Sequence, residues 1–133
     1  MKVFLGGTCN GSTWRDELIP RLKIDYFNPV VTDWTPQCQA EELRQRETCD
    51  YALYTIISQM RGIYSIAEVV DDSNKRPNKT ILCLLMDGFD EHQINSLYPL
   101  AGMVARNGAV VVYSLEAAAF WLNHTHISHH VAR

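Results

Sequence analysis

Two glutamates carry the chemistry that this chain offers. Glu68 closes the run Ser65-Ile66-Ala67-Glu68, which follows the apolar stretch 51–57 and opens a segment of helical character. Glu42 stands in an earlier polar segment, 39–49, rich in Glu, Gln and Arg, which are good helix formers. Two carboxyl groups facing one crevice are the minimum for breaking a glycosidic bond with retention. One attacks the anomeric carbon, and the other moves protons or orients the sugar. Nearby negative charge also favours an oxocarbenium-like transition state. Each glutamate has a plainer reading. Ser65-x-x-Glu68 matches a capping box, in which Glu68 only reaches back to a backbone N–H. Glu42 fits a solvated helix face with i,i+4 pairs such as Glu42–Arg46.

The elements that must position these groups alternate strictly. Strands are predicted over 3–5, 24–27, 51–57, 80–86 and 109–113. Helices are predicted over 16–22, short or irregular because of Pro20, over 39–49 and 65–72, and from 90 or 91 to 107. Gly108 closes the 90–107 helix, and a last helix starts at Ser114. The run 80–86 is almost continuously apolar, as in a strand buried on both faces. This order predicts an α/β fold: a doubly wound five-stranded parallel sheet, flavodoxin- or Rossmann-like, with helices on both faces. The sequence contains no repeat, low-complexity tract or linker, so residues 1–133 are expected to form one domain.

In such a sheet, ligands bind at the carboxyl edge, where each helix begins. Glu68 and Glu42 are expected in the first turns of their helices, at that edge. Asp50 directly precedes the third strand, so it belongs to the opposite edge and reads as structural. Asp33 and Asp87 follow strands two and four and are expected to line the crevice. Trp34, beside Asp33, is placed to stack on a base, although loop aromatics more often pack in small satellite clusters.

Other motifs point elsewhere. Gly6-Gly7-Thr8-Cys9-Asn10-Gly11-Ser12 fits a backbone cradle for a phosphate or sugar, and equally a glycine turn; it lacks the Lys of a P-loop. Cys9 to Arg15 spells C-x5-R, the spacing of a cysteine phosphatase, in which a thiolate attacks phosphorus. Asp16 follows that arginine where Ser or Thr is usual, and there is no Asp-Pro general acid. His124, His126, His129 and His130 resemble a metal patch, but at the end of the chain a flexible tail is the simpler expectation. No cysteine pair has the CxxC spacing of a zinc knuckle.

Composition narrows the partners. The chain is 47% apolar and 20% charged, with a net charge of -3 and scattered Lys and Arg. A nucleic-acid polymer is therefore not expected as partner, since such sites show a basic stripe. No apolar stretch reaches the length of a membrane span, and the amino terminus lacks the long apolar region of a signal peptide. A cytoplasmic protein with reduced thiols is expected.

Several stretches together resemble the nucleoside 2-deoxyribosyltransferase family, in its short, divergent branch. They are Val3-Phe4-Leu5-Gly6-Gly7-Thr8, Asp25-Tyr26-Phe27-Asn28-Pro29, Glu42 through Asp50-Tyr51, and Ser65-Ile66-Ala67-Glu68. In that family a glutamate opening the helix after strand three is the nucleophile, and Glu68 matches it. An acidic residue a few positions before the strand-three aspartate assists, and counting back from Asp50 gives Glu42. The match departs from the pattern in three ways. The assisting residue is usually Asp; the glycine-rich approach to the nucleophile is replaced by Gly62-Ile63-Tyr64-Ser65; and a first-strand tyrosine has no clear counterpart. The resemblance implies cleavage or transfer at the N-glycosidic bond of a nucleoside or nucleotide, without metal or organic cofactor, in a homo-oligomer. It implies ligand contacts from Gly7, Thr8 and Asn28, and a Ser65 cap on the helix presenting Glu68. A nucleotide-binding or sensing module without chemistry is the alternative, and the cysteine phosphatase is a more distant one.

Overall fold

The computed structural model describes residues 1–9 and 11–131, with side chains as far as residue 125. Strands and helices alternate along it. They are β1 (Lys2–Gly7), α1 (Trp14–Leu18), β2 (Asp25–Phe27), α2 (Pro36–Thr48), β3 (Tyr51–Ile56), α3 (Tyr64–Lys75), β4 (Thr80–Leu84), α4 (Glu91–Arg106), β5 (Val110–Val112) and α5 (Leu115–Val131). All strand pairs are parallel, in the order β2-β1-β3-β4-β5. This is the expected doubly wound sheet.

The strands β1, β3 and β4 are central, and their apolar runs are buried on both faces. Alternate residues serve two cores. Val3, Leu5, Leu53, Ile81 and Cys83 pack against Trp14, Leu18, Ala118 and Leu122, so α1 and α5 cover this face. Phe4, Tyr54, Ile56, Leu82 and Leu84 pack against Val69, Leu97 and Val104, so α3 and α4 cover the other. Cys49, directly after α2, joins this second core.

The helix ends differ most from expectation. Pro20 does limit α1, which passes into a 3-10 turn over Ile19–Arg21. Helix α2 starts earlier than residue 39, because the Thr35 hydroxyl accepts from the Cys38 N–H at 3.2 Å and Pro36 sits in the first turn. Glu42 consequently lies in the second turn. Helix α3 starts at Tyr64, and its N-cap Ile63 offers no side-chain hydrogen bond. A reciprocal capping box does form at α4, between Asp90 and Gln93. Gly108, at φ 102°, follows α4 as expected. Helix α5 runs to Val131 where a tail was expected, and the side chains of His126, His129 and His130 lie outside the described residues.

Candidate functional site

The strand order places a topological switch point between β1 and β3. The chain leaves β1 toward α1 on one face and leaves β3 toward α3 on the other, which opens a crevice at the carboxyl edge. The turn after β1 is tightly specified. Gly7 has φ +111°, and a Cβ there would lie 2.2 Å from the Thr55 carbonyl oxygen. The Thr8 N–H donates to that same oxygen at 2.9 Å, and the Thr8 hydroxyl accepts from the Ile57 N–H at 3.3 Å. Gly7 and Thr8 therefore sew the ends of β1 and β3 together. Thr8 is buried, so its hydroxyl braces the crevice floor rather than lining an open mouth.

Arg15 holds the same turn from below. Its guanidinium donates to the carbonyls of Leu5 at 3.0 Å, Thr8 at 2.8 Å and Gly7 at 3.4 Å, and lies over the Trp14 ring. The Trp14 indole N–H also donates to the Thr8 carbonyl, at 2.9 Å. Arg15 is 3.6 Å from the Cys9 sulfur, but its donors are occupied by main-chain oxygens. Main-chain carbonyls engage the guanidinium that a C-x5-R phosphatase would turn on its substrate, which does not favour that reading. Sequence spacing missed this role for Arg15 and Trp14.

Across the crevice, Glu68 is buried in the second turn of α3. It does not cap its helix, so both the capping-box reading and the expectation that Ser65 is the cap are corrected. Ser65 lies inside the helix, past the N-cap Ile63. The Glu68 carboxylate instead faces Arg46 of α2, with Oε2 to Nη1 at 3.9 Å. Burial pushes the Glu68 carboxyl up to about 7; Arg46 pulls it down, while Glu42 and Asp72 push it further up. Glu42 is half-buried on α2. Burial raises its pKa too, and the charges of Arg15 and Arg46 lower it. The two glutamates are thus within each other's electrostatic reach, and Arg46 acts on both.

Arg46 is no member of a solvated face. It is buried, and the i,i+4 pair with Glu42 does not form. The local side-chain pairs on α2 are made by Glu41 instead, with Arg44 at 2.6 Å and Gln45 at 2.8 Å. Arg46 donates through Nε and Nη2 to both oxygens of Asp72, each at 3.0 Å, and through Nη2 to Asp71 at 3.0 Å. Its Nε also lies 3.0 Å from the Tyr54 hydroxyl, which itself donates to Asp72. Burial and Asp72 hold the Tyr54 phenol well above its ordinary pKa. Arg76 completes the Asp72 shell at 2.9 Å. A fully buried aspartate with such partners costs far less than an unpaired one.

The remaining expected residues are less concentrated. Asp50 accepts from the Lys2 N–H at 2.8 Å, at the start of β1, which puts it at the far edge as expected. Asn28 is exposed and accepts from the Val30 N–H at 3.1 Å in a local turn. Asp33 and Trp34 are exposed in the loop before α2. Asp87 helps line an open cavity of about 760 Å³, walled by α1, the strand ends and the start of α5, with Ser12, Trp14, Ser58, Ser114 and Glu116. That cavity includes neither glutamate. It opens on the α1/α5 side of the carboxyl edge, whereas the carboxylate pair lies on the α2/α3 side. The paired charges locate the chemistry better than this cavity does, because a void without convergent functional groups specifies no reaction.

The architecture is that of a doubly wound α/β protein with two interacting carboxyls beside its switch point. The family model described as "Nucleoside 2-deoxyribosyltransferase like" matches residues 1–87, which run from β1 past the end of β4 and include both glutamates. The chain belongs to the nucleoside 2-deoxyribosyltransferase-like family. No curated protein and no solved structure matches it. Membership implies glycosyl transfer as the coarse activity and a small nucleoside as the class of substrate. Among the described residues, no helix is long and apolar enough to cross a membrane.

Proposed function

We propose that the protein, folded as one domain over residues 1–133, cleaves or transfers at the N-glycosidic bond of a nucleoside or nucleotide. An ionised Glu68 oxygen attacks C1′, the C1′–N bond breaks, and its electron pair leaves with the base, which takes up a proton. Water or a second base then attacks C1′ and releases the Glu68 carboxylate, giving hydrolase or transferase chemistry respectively. Glu42 orients the sugar or shuttles the proton. Asn28, Asp33, Trp34 and Asp87 contact the ligand from the loops at the carboxyl edge, over the floor made by Gly7 and Thr8. Ser65 keeps only a supporting place at the start of α3.

One observation carries this reading: Glu68, within a chain of this family, is released from capping and interacts with a second carboxyl, Glu42, across the α2/α3 face. Related proteins complete their sites across subunit contacts, and the same arrangement is proposed here as a homo-oligomer in the cytoplasm.

The test is incubation with mixed 2′-deoxynucleosides and their 5′-monophosphates, followed by chromatography for free or exchanged base. Release that disappears in Glu68→Ala supports the proposal. No release from any substrate, with nucleotide binding intact, sinks it and leaves a binding module. Release that persists in Glu68→Ala removes Glu68 from the mechanism.

A further inference from the structure

The buried cluster behind Glu68 is larger than a carboxylate pair requires. On its own helix, Glu68 shares a face with Asp72 at i+4 and lies near Asp71 at i+3, an acidic stripe that repels itself. Tyr54 of β3 and Glu42 of α2 complete the groups that act on Glu68, and Arg15 of α1 acts through Glu42. Among the described residues, Arg46 is the one cation in direct contact with this acidic face of α3 that also reaches Glu68.

Its orientation is fixed. Nε and Nη2 grip both oxygens of Asp72, and Tyr54 braces the same edge. A guanidinium held as a fork at one edge cannot rotate without losing both bonds. The corner that remains, Nη1, faces Glu68 Oε2 at 3.9 Å, beyond hydrogen-bond length.

We propose that Arg46 is a positioning residue for Glu68: locked from behind by Asp72 and Tyr54, it supports the ionised carboxylate while leaving its lone pairs free for attack. This rests on the glycosidic reading of Glu68. A guanidinium at full hydrogen-bond distance would compete with the substrate carbon for the same lone pair. At 3.9 Å its charge still acts, because the site is largely dry. Asp71 and Asp72 in turn temper that charge, so the cluster sets how strongly Glu68 is held ionised.

The test has two readouts. The first is the titration of the Glu68 carboxyl by carbon-detected NMR, assigned by its loss in Glu68→Gln; the second is the pH profile of kcat/KM for base release. Arg46→Gln should raise the Glu68 midpoint by about one pH unit and move the acid limb of kcat/KM by the same amount. Arg46→Lys, which keeps the charge, should return the midpoint toward wild type while kcat stays low. Asp71→Asn, on a half-exposed side chain, should fold normally and lower the midpoint by a few tenths of a unit, roughly. A Glu68 midpoint that stays put in Asp71→Asn and in every Arg46 variant that folds overturns the proposal, with any lost activity tracking only the folded fraction. If the wild type releases no base, the glycosidic reading fails on its own; the NMR titration still decides whether Arg46 governs Glu68.

Discussion

Glu68 meets Arg46 at 3.9 Å, from a position whose burial outweighs the attraction of that cation. The carboxyl consequently rests near 7, well above an unfolded glutamate. The sign of its effect on stability follows. Below about pH 4.5 Glu68 is neutral in both the folded and unfolded chain, and it contributes no pH dependence. Between 4.5 and 7 the folded state holds the proton more tightly, so stability falls as pH rises, and above 7 the deficit is complete. Glu68→Gln should therefore match wild type at pH 4 and exceed it by roughly 2 kcal/mol at pH 8, allowing for screening. Urea denaturation at the two pH values measures this. An equal effect at both would mean that Glu68 is not held above its unfolded pKa.

The same group sets the direction of the activity profile. If Glu68 attacks as a carboxylate, kcat/KM for base release rises with pH through a midpoint near 7 in the free enzyme. If Glu68 instead serves as the proton donor, the profile falls through that midpoint. A pH series on one deoxynucleoside distinguishes them, and a falling limb would transfer the nucleophile's role to Glu42.

Ser65 and Asp90 make a matched pair for the helix starts. Ser65 was expected to cap its helix and does not, whereas Asp90 accepts a capping hydrogen bond from the Gln93 N–H at 2.8 Å. Asp90→Ala should cost about 1 kcal/mol. Ser65→Ala should change stability by less than about 0.5 kcal/mol, since no cap is lost. Thermal unfolding of the two variants side by side is sufficient. A cost at Ser65 as large as that at Asp90 would restore the capping reading.

The sheet was legible because its strands are nearly uninterrupted apolar runs: 51–57 and 80–86 end within a residue or two of β3 and β4. The edge argument also placed Asp50 correctly, since order along the chain fixes which end of a parallel strand a residue meets. Helix starts were less legible. Thr35-Pro36 carries a cap signal three residues before the helix start expected at 39, and Glu42 consequently lies a turn later in α2 than expected. The larger miss was Arg46. Local spacing offers it Glu42, whereas its partners are 25 and 26 residues away on α3 and come together only when α2 and α3 cover the same face. Arg15 was read through its spacing from Cys9, yet its partners are backbone carbonyls, which no side-chain pattern reveals.

Gly7 gives a sharp test of the crevice floor. Its φ of +111° disfavours any L side chain, and an added Cβ would be driven against the Thr55 carbonyl, which belongs to a central strand and cannot move aside. Gly7→Ala should cost roughly 2–4 kcal/mol. It should also weaken ligand binding in whatever fraction folds, because the Thr8 contacts to Thr55 and Ile57 depend on that turn. Unfolding curves and nucleotide titration measure the two effects. A variant as stable as wild type would show that the β1 and β3 ends are not drawn together as described.

Arg15 and Cys9 separate the structural role of the β1–α1 turn from a phosphatase. Arg15→Met keeps the length of the side chain but removes its donors to the Leu5, Gly7 and Thr8 carbonyls and its charge over Trp14. The buried acceptors lose their partners, which should cost about 2–3 kcal/mol, read as a lower urea midpoint with an unchanged slope. Cys9 is exposed and donates only weakly, to the Gly7 carbonyl at 3.3 Å. Cys9→Ser should therefore leave both stability and base release close to wild type. A cysteine phosphatase requires the opposite pattern, because its thiolate is the attacking atom and serine cannot replace it. Assay of Cys9→Ser against deoxynucleosides and against an aryl phosphate decides between them. Aryl phosphate turnover in the wild type that vanishes in Cys9→Ser would move the chemistry from Glu68 to this turn.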